Sequence, residues 1–207
     1  MTDTLTCLAI NCSLKAEAES STQVLLEQLT EELAHHAVTS TFVRAAAHDI
    51  QPGTSPDAIG PGDEWPAIAQ KVLDADILVL GTPVWLGNPS STCRRVLERL
   101  DGWISETDDE GRQLMADKVG GLVTVGNEDG AHAVAAQVYQ GLADIGFTIP
   151  SAAQTYWVGE AMGSTDYKDL DEVPDSVAST TRTVATNLAH VARLLRENPY
   201  PLSLIHI

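Results

Sequence analysis

The run Asp76–Trp103, DILVLGTPVWLGNPSSTCRRVLERLDGW, constrains this chain more than any other segment. Its opening, Ile77–Leu80, is apolar at every position. A strand without polar alternation needs cover on both faces, the condition of a strand inside a parallel sheet flanked by helices. The run then passes Gly81, Pro83, Trp85, Gly87 and Pro89 before entering a helix over Ser90–Ile104, with Val96, Leu97 and Leu100 toward the sheet. A strand that empties into an aromatic, glycine-bearing loop and then a helix is how open α/β sheets build ligand sites, because the crevice lies beyond the carboxyl ends of the strands.

The same alternation runs along the chain. Leu5–Asn11 reads as a buried first strand, Thr39–Arg44 as the second, Val119–Val125 as the fourth, and Phe147–Ile149 as the start of a fifth. Helices are predicted over Ser21–Ala37, with Leu25, Leu29 and Leu33 at helical spacing, over Trp65–Leu73, and over Ala131–Ile145 with Gly146 ending it. A last helix covers Asp175–Leu195, with Val177, Val184, Leu188, Val191 and Leu195 as core positions. Asp49–Gly62 is a long Pro- and Gly-rich loop, and Ala152–Pro174 is irregular. This pattern predicts an α/β fold: a three-layer, doubly wound, five-stranded parallel sheet in the order 2-1-3-4-5, one domain over residues 1–200. The tail Pro201–Ile207, PLSLIHI, resembles a translated adapter scar and is assigned no role.

Net charge decides which partners are excluded. Twenty-nine acids against twelve bases leave -17, a surface that repels nucleic-acid backbones and anionic membranes. No stretch is long and apolar enough to cross a bilayer, and the amino terminus lacks a signal-like pattern, so a cytoplasmic location is expected. The cysteines Cys7, Cys12 and Cys93 form no metal spacing, and their odd number argues against a disulfide framework.

Three loops follow strands one, three and four and open on one edge in the expected order. Asn11–Thr22, NCSLKAEAESST, carries Ser13, Lys15, Ser20, Ser21 and Thr22 ahead of a helix start, where backbone N–H groups, hydroxyls and a cation suit a phosphate. It contains no glycine, so it is neither a Walker A loop nor a GxGxxG turn. Alone, the same residues also describe a Ser/Thr-capped helix after a polar loop. Thr82–Pro89 presents Pro83, Val84, Trp85, Leu86 and Gly87, suited to a flat ring and its polar edge, although Trp85 alone can also be a packing residue. Val125–Ala131 brackets Asn127, Glu128 and Asp129 with Gly126 and Gly130, and an Asp- or Asn-capped helix explains it equally well. The three together point to one ligand site.

GTPVWLGNPSSTCRRVLERLDGW, VTVGNEDGAHAVAAQVYQGLADIGFTIP and NCSLKAEAESST resemble, over about residues 5–195, three segments of the flavodoxin-like NAD(P)H-dependent oxidoreductases of the FMN reductase group. The resemblance implies FMN as cofactor and NAD(P)H as electron donor. It implies the 5′-phosphate on Ser13, Lys15, Ser20, Ser21 and Thr22, the isoalloxazine against Pro83, Val84, Trp85, Leu86 and Gly87, and its pyrimidine end at Gly126, Asn127, Glu128 and Asp129. No side-chain acid or base is required, because the flavin carries the chemistry. A small-molecule electron acceptor (a quinone, a nitroaromatic or a flavin) and a homodimer or homotetramer are implied as partners. The alternatives on the same residues are a flavodoxin-type electron carrier and a flavin-free α/β binding protein. Three departures mark the chain: Glu17 and Glu19 in the phosphate loop, no cysteine in Ala45–Pro66, and an insertion at Tyr156–Asp171 whose aromatic residues can cover the flavin, line an oligomer interface or pack as satellite core.

Overall fold

A computed structural model of the protein describes residues 4–201. Except for Pro201, the tail assigned no role lies outside the described residues. Strands β1 (Leu5–Asn11), β2 (Val38–Arg44), β3 (Ile77–Trp85), β5 (Val119–Gly126) and β6 (Gln154–Val158) form a parallel sheet in the order β2-β1-β3-β5-β6. A two-residue strand, β4 (Asn88–Pro89), folds back antiparallel on β3. The five parallel strands therefore follow the expected 2-1-3-4-5 order, with the reversal between β1 and β3.

Helices α1 (Ser21–Ala34) and α5 (Asp175–Glu197) cover one face of the sheet. Leu25, Leu26, Leu29 and Leu33 of α1 pack there with Val184 and Leu188 of α5 on Cys7, Ala9, Ile77 and Val79. Helices α2 (Trp65–Asp74), α3 (Ser91–Leu100) and α4 (Ala131–Asp144) cover the other face. There Ile68, Val72, Val96, Leu100, Val134 and Val138 pack on Leu8, Ile10, Leu78 and Leu80. Successive residues of one strand thus enter opposite cores, which is why β1 and β3 carry no polar alternation. Gly81 lets α1 lie close against the end of β3: a Cβ there would stand 2.5 Å from Leu26 and 2.9 Å from Thr22.

Several element boundaries differ from expectation. The fifth strand is Gln154–Val158, not Phe147–Ile149, which contributes only an isolated bridge between Thr148 and Val119. Region 152–174 is accordingly not irregular throughout, and Tyr156 and Trp157 belong to a strand rather than an insertion. Helix α1 stops at Ala34, because Ala37 adopts a left-handed φ of 54° and Arg193 donates to the His36 carbonyl, turning the chain into β2. Strand β3 does not end at Leu80 but continues to Trp85. Helix α3 gives way to a 3-10 turn at Asp101–Trp103. Gly146, at φ 107°, ends α4 as expected.

Candidate functional site

The first loop is organised from below by Asn11, the buried last residue of β1. Its side-chain oxygen accepts the Ser13 N–H at 2.9 Å and the Ser13 hydroxyl at 2.7 Å, and its amide donates to Gln23 Oε1 at 2.8 Å. Ser20 caps α1 by accepting the Gln23 N–H at 3.2 Å and donates to Ser13 Oγ at 3.2 Å. Arg44, ending the neighbouring β2, holds the loop from outside, donating to the Lys15 carbonyl at 2.7 Å and the Ala18 carbonyl at 2.8 Å. Among the described residues, the backbone N–H groups from Leu14 to Thr22 have no protein acceptor. Open N–H groups converging at a helix start have the chemistry to hold an anion.

Of the expected phosphate residues, Ser13, Ser20 and Ser21 meet here. Ser21 Oγ accepts the Lys168 N–H at 3.2 Å. Lys15 is exposed. Thr22 differs: its side chain is buried against Gly81, so only its N–H is available to a ligand. Glu17 and Glu19 face water. The Glu19 side chain is 89% exposed, and its carboxylate stands 3.8 Å from Lys168 Nζ.

The second loop is a β-hairpin. Trp85 pairs with Asn88, and Leu86 and Gly87 turn between them at φ 51° and 73°, the all-positive pattern of a two-residue hairpin turn. Trp85 is 53% exposed and Leu86 90%. Val84 points the other way, buried against the third loop: a Cβ at Gly126 would stand 3.0 Å from it. Pro83 is half-buried. Ser90 ties the loops together. Its N–H donates to Thr82 Oγ1 at 3.0 Å, and its hydroxyl donates to the Cys12 carbonyl at 2.6 Å while accepting the Cys93 N–H at 3.0 Å. The Cys12 thiol beneath is held up by its contact with Cys93 and by burial, which keeps it an unreactive packing group.

In the third loop Gly126, Asn127 and Glu128 are half-buried and Asp129 is exposed. Gly130, at φ 136°, occupies the cap position of α4, and no side chain caps that helix. The Asp129 carboxylate accepts the Gly130 N–H at 2.7 Å instead. The Gly130 backbone abuts the hairpin: a Cβ there would stand 2.7 Å from Gly87 Cα. Asn127 anchors the segment after β6, its carbonyl accepting the Met162 N–H at 3.2 Å and its amide donating to the Gly163 carbonyl at 3.3 Å. Asn127 Oδ1 is buried without a hydrogen-bond donor. Tyr167 is satellite core, its ring centroid 5.5 Å from that of Trp157 with the planes inclined at 49°, and it donates to Gln28 at 2.6 Å. Tyr156 stays at the surface, edge-on to His132.

All three expected loops therefore meet at the carboxyl edge of the sheet. Asn11, Arg44, Ser90 and Lys168 are the supports that sequence reasoning passed over. Arg44 was within reach, because the 2-1-3 order puts the end of β2 beside the loop after β1. A cleft of about 610 Å3 at the opposite edge, lined by Arg112, Phe147, Thr148 and Tyr200, stands away from these loops.

Residues 5–162 match the family described as NADPH-dependent FMN reductase. An 8-demethyl-8-aminoriboflavin-5'-phosphate synthase from Streptomyces davaonensis is 31% identical over 213 residues, covering 97% of this chain and 82% of that protein. The structure of RosB with a bound 8-demethyl-8-formylriboflavin-5'-phosphate intermediate superposes with a TM-score of 0.83 at 31% identity, over 95% of this chain and 82% of that one. A Mycobacterium bovis protein named divalent metal cation transporter MntH is 39% identical over 201 residues; the match takes in 94% of this chain, which spans only 29% of that protein's length. No helix among the described residues is long and apolar enough to cross a membrane. Flavodoxins share the fold at far lower identity. With this sheet order, these three loops and the match over residues 5–162, the chain belongs to the NADPH-dependent FMN reductase family, flavodoxin-like oxidoreductases that use FMN with an NAD(P)H donor.

Proposed function

We propose that the chain binds FMN across its three loops and reduces a small-molecule acceptor, a quinone, a nitroaromatic or a flavin, at the expense of NAD(P)H. The observation that carries this reading is the run of unpartnered N–H groups from Leu14 to Thr22, set on a loop that Asn11 and Arg44 hold in place. A phosphate monoester fits that donor set, with Ser13, Ser20 and Ser21 adding hydroxyls and Lys15 adding charge. The donorless Asn127 Oδ1 fits a ring N–H at the pyrimidine end, beside Gly126, Glu128 and Asp129. Pro83, Trp85, Leu86 and Gly87 form an apolar wall for a flat ring, while Val84 supports that wall from behind. When bound, FMN supplies hydride acceptance and release at N5. The protein positions the reactants, excludes water with Trp85 and Leu86, and aims N–H groups at charge developing on the ring. Half-exposed Trp85 and exposed Leu86 favour a homodimer or homotetramer meeting at this edge.

A second reading treats the flavin as substrate rather than cofactor. The 31% identity and 0.83 TM-score to RosB support it. Both are tested on purified protein. Titration with FMN is expected to quench Trp85 fluorescence, and anaerobic NADPH or NADH should then bleach the yellow colour promptly. A protein that takes up no FMN overturns both readings. Slow bleaching with a long-lived one-electron form on chemical reduction assigns an electron carrier instead. A mass change in the recovered flavin after aerobic incubation assigns the second reading.

A further inference from the structure

The first loop carries the wrong charge for the ligand proposed for it. Between Ser13 and Thr22 a single cation, Lys15, stands against two carboxylates, Glu17 and Glu19. A phosphate monoester adds nearly two further negative charges. Backbone N–H groups bind and orient an anion, but they do not cancel a neighbouring carboxylate. Compensation has to come from outside the loop, and two cations reach it from distant sequence. Arg44 is held on the carbonyls of Lys15 and Ala18. The other is Lys168, in the 3-10 turn Tyr167–Asp169, beyond the residues 5–162 that match the family. That turn is fastened to both loops it borders. Met162 and Gly163, at the start of the segment, are tied to Asn127 of the third loop. Tyr167 is buried and donates to Gln28 of α1, the helix that the first loop opens.

Lys168 touches the first loop through two groups. Its N–H donates to Ser21 Oγ at 3.2 Å, while the Ser21 hydroxyl hydrogen has no protein acceptor among the described residues. The bond occupies one lone pair of that oxygen and leaves the hydrogen to be donated to a ligand. The ammonium stands 3.8 Å from the Glu19 carboxylate and 2.7 Å from that of Asp169. Glu19 is well exposed, and an ion pair of this kind adds little to folding stability. Its effect on an incoming dianion is separate from stability. Without the ammonium, Glu19 and Asp169 would both stand uncompensated beside the loop, and each would repel the phosphate.

We infer that Lys168 is a positioning residue of the phosphate site: its N–H turns the Ser21 hydroxyl toward the 5′-phosphate of FMN, and its ammonium cancels the carboxylates that would otherwise drive that phosphate away. The inference rests on the placement of the FMN phosphate in the first loop under the proposed function.

The test titrates the full chain, stripped of flavin, with FMN and with riboflavin, which lacks the phosphate, and reads flavin fluorescence at low ionic strength. Lys168→Met keeps the backbone N–H on Ser21 and removes the charge alone. It should weaken FMN about three- to tenfold and leave riboflavin within about twofold. Lys168→Arg should bind FMN like the wild-type protein. Adding Glu19→Gln to Lys168→Met should restore part of the lost FMN affinity, and added salt should shrink the gap between Lys168→Met and wild type. Ser21→Ala should weaken FMN several-fold and riboflavin not at all. An equal loss of both flavins in Lys168→Met overturns the inference by giving Lys168 a merely structural role, and so does an unchanged FMN affinity. FMN binding unaltered by Ser21→Ala overturns the orienting of that hydroxyl. A wild-type protein that binds riboflavin as tightly as FMN sinks the phosphate placement itself, an outcome distinct from a wild-type preference for FMN that Lys168→Met leaves intact.

Discussion

Leu86 holds a left-handed conformation that costs a branched side chain about 1–2 kcal/mol, and its side chain is 90% exposed. Nothing in the fold requires leucine at a turn position that asparagine or glycine serves better. Strain of this kind concentrates at functional sites. Leu86→Asn is therefore expected to raise the thermal midpoint by about 1–4 °C, since roughly 1 kcal/mol corresponds to 2–4 °C in a chain of this size. It should also weaken FMN binding, read by fluorescence titration. A lower midpoint would contradict the strain argument. Asn11 presents the opposite case, a buried polar side chain with both its oxygen and its amide engaged. Asn11→Ala leaves the Ser13 N–H and hydroxyl without their acceptor and should cost about 1–3 kcal/mol by urea denaturation. FMN affinity should fall at least tenfold with it. Unchanged affinity would show that the first loop keeps its shape without this support.

Among elements, the long connection between β2 and α2 depends on one side chain. Arg99, fully buried on α3, donates to the carbonyls of Gln51, Ser55 and Asp57 and pairs with the buried Asp63 carboxylate at 2.7 Å. Its guanidinium stands 5.6 Å from the Trp65 ring centroid. The Pro- and Gly-rich composition of this segment marks a loop but hides the fact that a core arginine organises it. Arg99→Met leaves Asp63 buried without its cation and should cost about 3–5 kcal/mol, whereas pairing it with Asp63→Asn, which keeps an acceptor for the N–H groups of Gln51, Ile59 and Trp65, should recover part of that loss. The double variant tested by denaturation separates a lost ion pair from lost carbonyl anchoring: no recovery would assign the whole cost to the loop carbonyls.

For the whole molecule, charge sets the conditions of stability. Burial alone would raise the Asp63 carboxyl, but the N–H groups of Ile59, Trp65 and Gln51 and the Arg99 guanidinium more than offset it and hold the pKa at about 2. Asp76 is likewise held low: Thr6 and Arg196 outweigh its partial burial. A carboxylate whose folded pKa is depressed stabilises the protein fully above its unfolded value near 4 and loses that contribution as pH falls toward the folded value. Stability measured by thermal melts should therefore decline between about pH 4 and pH 2 and show no such loss between pH 5 and pH 7. A net charge of -17 also repels itself, so raising ionic strength at pH 7 should raise the midpoint. A midpoint that falls with added salt would mean that local ion pairs outweigh that repulsion. Sequence alone carried the alternation of strand and helix, the apolar strands that need two covered faces, and the three loops at one edge, because periodicity and turn chemistry are local properties. It misplaced the last strand, since Phe147–Ile149 is as apolar as a strand and Gln154–Val158 is no more so; pairing with β5 decides between them, and pairing is not local. It gave Val84 and Thr22 the same standing as Trp85 and Ser20, because facing the crevice or the core depends on which neighbour closes over each side chain. Only the tertiary structure supplied Asn11, Arg44, Ser90 and Arg99 as supports, for each acts through partners between 2 and 78 residues away, brought near by the sheet order.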